Sequence, residues 1–172
     1  MAFVFEVEDG TGLSESNSYV SVLDADDYYS VDPYFAITWS ALLTVAKQNL
    51  LAWATRVLDQ KVVWEGTKTV DASALRWPRS GLVDRDGIEI VENIIPLQVV
   101  QATLELAKHL NASDITSSQD IEFLKHIRID VLELDYQENV GQPALPSQIN
   151  AILEPLGVIP MGGMRFVKIK KV

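Results

Sequence analysis

The sequence contains no cysteine. That excludes disulfides and thiolate metal sites, and it suits a reducing compartment such as a cytoplasm. Histidine is scarce as well: His109 and His126 are the only two. Neither stands at ligand spacing from the other, so both read as surface or capping histidines rather than metal ligands. No apolar run approaches the ~20 residues needed to span a bilayer. The start, "MAFVFEVEDG", has no basic stretch ahead of its short apolar run, and it is not expected to be a secretory signal. Glycine-rich phosphate loops, a dinucleotide fingerprint and a hydrolase elbow are all missing. The stretch "DRDG" at 84–87 matches the start of a calcium loop, but the later ligands do not follow, so a hairpin turn explains it better. The expectation is a protein that is not an enzyme and uses no metal or cofactor.

Positive charge is the other shortage. No Lys or Arg precedes Lys47, whereas eight acids (Glu6, Glu8, Asp9, Glu15, Asp24, Asp26, Asp27, Asp32) lie in the first 32 residues. The 172 residues carry a net charge of −10, with 48% hydrophobic and 22% charged residues, an ordinary globular composition large enough for one sizeable core. The last eleven residues, "GGMRFVKIKKV", hold Arg165, Lys168, Lys170 and Lys171 and no acid; without them the remainder stands at −14. Such a body repels a phosphate backbone, because nucleic-acid affinity rests on cationic neutralisation. Nucleic-acid binding by the body is therefore disfavoured.

What is present reads mainly as helix. Phe3 to Val7 alternates and suits a short edge strand. Ser21 is a candidate N-cap with Asp24 three residues on, opening a helix over "VLDADDYYS" that Asp32-Pro33 ends. Paired carboxylates in that helix stabilise its N-terminal end without implying chemistry. A second helix, capped by Ser40, places Leu43, Ala46, Leu50, Ala54, Val57 and Leu58 on one face and Lys47, Gln48, Arg56 and Gln60 on the other. Asp86-Gly87 between Val83 and Ile88 predicts a small hairpin. Pro96 opens a third helix, with Val99, Thr103, Leu106, Ala107 and Leu110 as its apolar face and Asn111 as its stop. From Asp120 to Asn139 two patterns compete, and a helical start followed by a bulged strand is favoured. A short helix follows Pro146-Ser147 and ends at Gly157. The fold class is thus mainly α: a helical bundle with a small β-hairpin and short strands, and an extended C-terminal arm. Residues 1–161 form the helical domain, with a loop and hairpin inserted at 61–95, and 162–172 form the basic arm.

The stretch "ALRWPRSGLVDRDGIEI" at 74–90 concentrates large and basic side chains. Trp64, Arg76, Trp77, Arg79 and Arg85 have the composition of an interface anchor, and Arg stacks on Trp. Two readings stand side by side. Either the tryptophans plug a small core and the arginines pair locally, or the loop contacts a second subunit, its arginines meeting acids of the adjacent copy; the expectation is the second, a subunit-contact loop.

Four stretches in one order, "EVEDGTGLSESNSYVSVLDADDYY", "ATRVLDQKVVWEG", "LRWPRSGLVDRDG" and "IPLQVVQATLELA", resemble a family of tailed-phage proteins often labelled DnaT-like single-stranded DNA-binding proteins. These are similar to head–tail adaptor, or head-completion, proteins. The resemblance covers the first two thirds of the chain well; beyond Asn111 it rests on pattern. It implies a virion neck protein, assembled in the host cytoplasm, that forms a homo-oligomeric ring of about twelve copies under the portal. Packaged double-stranded DNA would pass through its channel without tight binding, and a tail or stopper protein would dock on it; no membrane is involved. It further implies a portal-docking arm, matched here by Arg165, Phe166, Val167, Lys168, Ile169, Lys170 and Lys171. Channel-facing acids are expected among Asp24, Asp26 and Asp27. The alternative is single-stranded DNA binding itself, which needs a cationic groove lined with stacking aromatics. Four tryptophans and five tyrosines are available, but cations outside the tail are sparse and dispersed.

Overall fold

The computed structural model describes residues 3–113 and 145–159, and the backbone of 127–129 and 132–134. Five helices carry the described chain: α1 (Val22–Ser30), α2 (Ala36–Ser40), α3 (Thr44–Lys61), α4 (Leu97–Ala112) and α5 (Ser147–Leu153). Three antiparallel strand pairs accompany them. β1 (Val63–Trp64) pairs with β6 (Gly157–Val158), β2 (Thr67–Lys68) with β3 (Arg79–Ser80), and β4 (Ile127–Ile129) with β5 (Leu132–Leu134). The chain is therefore mainly α with small sheets. The C-terminal arm and the helical start expected at 120–126 lie outside the described residues.

The first helix follows its sequence signals closely. Ser21 Oγ accepts from the Asp24 amide at 3.1 Å and donates to the Asp24 carboxylate at 2.6 Å, satisfying an otherwise orphaned N-terminal donor. Ser40, expected to cap the next long helix, instead ends the short α2, and α3 starts after Leu43 without a side-chain cap. The buried face of α3 begins about two turns later than its periodicity suggests. Leu51, Ala54, Thr55, Val57 and Leu58 are buried, but Leu43 and Ala46 are exposed.

α4 is the central helix. Val99 and every residue from Ala102 to Ala107 are buried, Thr103 and Glu105 included, so the middle of the helix is enclosed on nearly all sides rather than on one stripe. α3 packs on one side of it and α5 on another. Its buried Glu105 accepts from the Tyr28 hydroxyl at 2.7 Å, and Tyr29 donates to the Leu104 carbonyl at 2.5 Å. Those two tyrosines join Phe35 and Trp39 in an aromatic cluster of edge-on and tilted contacts that seats α1 and α2. Two lysines close it: Lys47 lies 5.1 Å from the Trp39 ring centroid and bonds Asp26 at 2.7 Å, and Lys108 lies 6.0 Å from Phe35 and bonds Asp32 at 2.5 Å.

Upstream, the loop after Glu8 folds around that residue's carboxylate. Glu8 is 2% exposed and accepts from the amides of Gly10, Gly12 and Leu13 and the Ser16 hydroxyl. Gly10 has φ +98°, and a Cβ there would collide with the Asn93 carbonyl, so only glycine fits. The hairpin read from Asp86-Gly87 is present: the Asp84 amide donates to the Ile88 carbonyl, the Ile88 amide donates to the Asp84 carboxylate, and Val83 bridges to Glu89. Gly157 does not act as a helix stop; it pairs with Trp64 in a strand, where a Cβ would meet Val62 and the Val63 carbonyl.

The lysine partners hold Asp26 and Asp32 below the ordinary aspartate value of 3.8. A depressed folded-state pKa contributes stability that is present above 3.8 and lost as pH falls through the folded value. Asp32→Asn is accordingly expected to lower the melting temperature at neutral pH. The gap to the unsubstituted protein should narrow between about pH 4 and pH 2. A gap independent of pH in a thermal melt series would remove the ion pair from the stability of the α1–α2 corner.

Candidate functional site

The residues singled out around 64–85 separate into three kinds. Trp77 is fully buried and Trp64 nearly so, their rings meeting edge-on at 5.7 Å, with Trp77 followed by a cis peptide to Pro78. Neither indole is presented to a neighbouring subunit; they plug a core under the loop. Arg79 is turned inward too, its guanidinium donating to the carbonyls of Glu65, Gly66, Arg76 and Trp64. It clamps the loop onto the backbone of 64–66. Arg76 and Arg85 are exposed, and Arg85 bonds Glu154 at 2.9 Å and the Ala151 carbonyl. The apolar exposure expected of the tryptophans falls instead on Val83, Ile88, Val91, Ile94 and Leu97.

The three N-terminal acids also divide. Asp26 is held by Lys47 and by Trp39 Nε1 at 2.7 Å, and the Asp24 carboxylate accepts from the Ser21 hydroxyl that caps α1, while Asp27 stands exposed. Two of the three thus have internal work. The arm residues Arg165 to Lys171 lie outside the described residues.

Beneath the loop sits a polar hub. The Asp59 carboxylate accepts from the Tyr19 hydroxyl at 2.8 Å, Trp64 Nε1 at 3.2 Å and the Arg76 amide at 3.1 Å. The Tyr19 oxygen in turn accepts from the amides of Arg76 and Trp77. Burial pushes the Asp59 carboxyl above its ordinary 3.8, against the pull of those hydrogen bonds. Burial, reinforced by the Asp59 charge, raises Tyr19 well above 10, so its proton stays available to the carboxylate.

Over this hub opens a groove of about 800 Å³. One wall is α3, where Asn49, Trp53, Arg56 and Gln60 recur at helical spacing on a single face. The other side is formed by Phe3, Asn17, Lys68 and the 74–76 stretch ending in Arg76. Trp53 is 42% exposed, unlike the other three tryptophans, and Arg56 lies 5.2 Å over its ring. The cations Arg56, Lys68 and Arg76 line the groove, and its one lining acid, Asp59, has its oxygens committed to the hub. Sequence reading put Arg56 and Gln60 on the polar face of this helix and overlooked Trp53. The available signal was a tryptophan in phase with that polar face. Among the described residues no group of three His, Asp or Glu is placed to hold a metal, and no helix is long and apolar enough to cross a membrane.

A family model described as "Putative DnaT-like ssDNA binding protein" matches residues 1–171. No curated protein and no solved structure matches the chain.

Tyr19→Phe removes the hydroxyl that both feeds Asp59 and receives two amides, leaving buried groups short of a partner. The expected cost is about 1–3 kcal/mol in urea unfolding, with unchanged far-ultraviolet dichroism of the folded state. A cost under about 0.5 kcal/mol would mean that water replaces the hydroxyl and that the hub is not a structural joint.

Proposed function

We propose a binding role without chemistry for this chain, which belongs to the protein family described as "Putative DnaT-like ssDNA binding protein". It works as one subunit of a homo-oligomeric ring of about twelve copies at the head–tail junction of a tailed phage. There it lies under the portal and receives a tail or stopper protein. The observation that carries this reading is apolar exposure on two different parts of the chain. Between Val31 and Val45, Val31 is 82%, Tyr34 89% and Ile37 83% exposed, with Leu43 and Val45 beside them in sequence. Between Val83 and Leu97 stand the five exposed residues named above. Closed rings use head-to-tail contacts, in which each subunit offers two unlike surfaces to its neighbours. Exposure of that extent also marks protein contact. The charge of −10 suits a channel wall along which DNA slides without being held. The four cations of 162–172 suit an arm that meets an acidic portal surface.

The family's description favours a second reading, single-stranded DNA binding, over the ring. The groove beside Trp53 gives that reading a place, while the net charge weighs against it.

Sedimentation and capture on the cognate portal ring separate the two. The full-length protein is expected to bind near twelve copies per portal ring, and a form truncated after Met161 to bind weakly. The double change Tyr34→Asp and Ile37→Asp, at exposed positions, should leave a folded monomer that no longer assembles. A full-length protein that stays monomeric, ignores the portal and binds a thymidine oligomer would replace the ring with the DNA reading.

A further inference from the structure

We infer that the groove between α3 and the 68–76 loop is a binding site for a single strand of DNA, with Trp53 as its stacking platform. The inference rests on the second reading and gives it residues. Single-strand binding needs an open aromatic face and nearby cations, because a base stacks on the ring while its phosphate is neutralised. This groove brings the two together. Trp53 keeps 42% of its surface exposed, with Arg56 5.2 Å from its ring centroid. Lys68 and Arg76 lie on the opposite lip.

The surroundings match that ligand. Asn49 and Gln60, in line with Trp53 on α3, supply amides of the kind that meet base edges without strong sequence preference. Lys68, in the lining, donates through Nζ to the Ser73 carbonyl at 2.6 Å. Asp59, the one acid in the lining, turns its oxygens to Tyr19, Trp64 and the Arg76 amide beneath. A chain at −10 overall therefore has a local positive lining here. The volume, about 800 Å³, falls within the roughly 300–1,000 Å³ of ordinary ligand clefts. A duplex does not fit the same chemistry, because its paired bases present no free face to stack on Trp53.

The test uses the full-length protein, a fluorescently labelled thymidine oligomer and anisotropy at low salt. The unlabelled oligomer should also quench tryptophan emission, since Trp39, Trp64 and Trp77 are buried and Trp53 alone of the four is open to it. Trp53→Ala and Arg56→Ala, both at exposed helix positions, should each weaken binding by about tenfold or more, with helical dichroism preserved. Binding that survives both changes at full strength would overturn the groove while sparing the DNA reading, and would send the site elsewhere on the chain. No binding at low salt would overturn both. Equal affinity for a duplex of the same length would overturn the stacking role of Trp53.

Discussion

The carboxylate of Asp59 is the joint on which the described structure turns. It sits on α3, yet its three donors come from the N-terminal segment, from β1 and from the loop before Trp77. Tyr19 adds a fourth link, its amide donating to Thr55 on α3 at 3.2 Å. β1 then pairs with β6, which carries the end of α5 into the same region. A partly buried carboxylate is costly unless its lone pairs are filled, and here each donor that fills one also fixes a separate stretch of chain. That joint, together with the Arg79 clamp, sets the path of the loop that forms one lip of the groove.

Charge is distributed on the same logic. Many of the N-terminal acids that look like a repulsive cluster in the sequence have partners in the fold: Glu8 organises its loop, Asp24 accepts from the capping Ser21 hydroxyl, and Asp26 and Asp32 meet lysines over aromatic rings. These contacts neutralise acids one at a time, so the body remains strongly negative without strong local repulsion. Against that background the lining of Arg56, Lys68 and Arg76 stands out. Apolar exposure has a different distribution, concentrated at the α1–α2 corner and in the hairpin after Leu82. The exposed apolar side chains and the cationic lining thus lie on different stretches of the chain.

The resemblance to head–tail adaptors and the description of the matching family pull towards different partners, a protein ring and a DNA strand. The physical chemistry divides in the same way. Exposed Tyr34 and Ile37 favour a protein, and a tryptophan flanked by cations favours a base and its phosphate. The total charge weighs on the side of the ring, because single-strand binders rely on cations that this chain has in short supply.

The sequence by itself determined the local elements. Ser21 and Asp24 announce α1, Pro96 announces α4, and Asp86-Gly87 announces a hairpin, because caps, proline and tight turns act over a few residues. It also determined composition: no thiol chemistry, few cations and no long apolar span. What tertiary structure decided were the matters that depend on neighbours far along the chain. Periodicity predicted one buried stripe on α4, but packing by α3, α5 and the tyrosines of α1 covers nearly all of it. Composition left Trp64 and Trp77 open to two readings, and the hub beneath them placed both indoles in the core. The groove was invisible for the same reason. Trp53 and Arg56 are three residues apart, but Lys68, Arg76 and Phe3 reach them only once Asp59 has drawn three distant segments together.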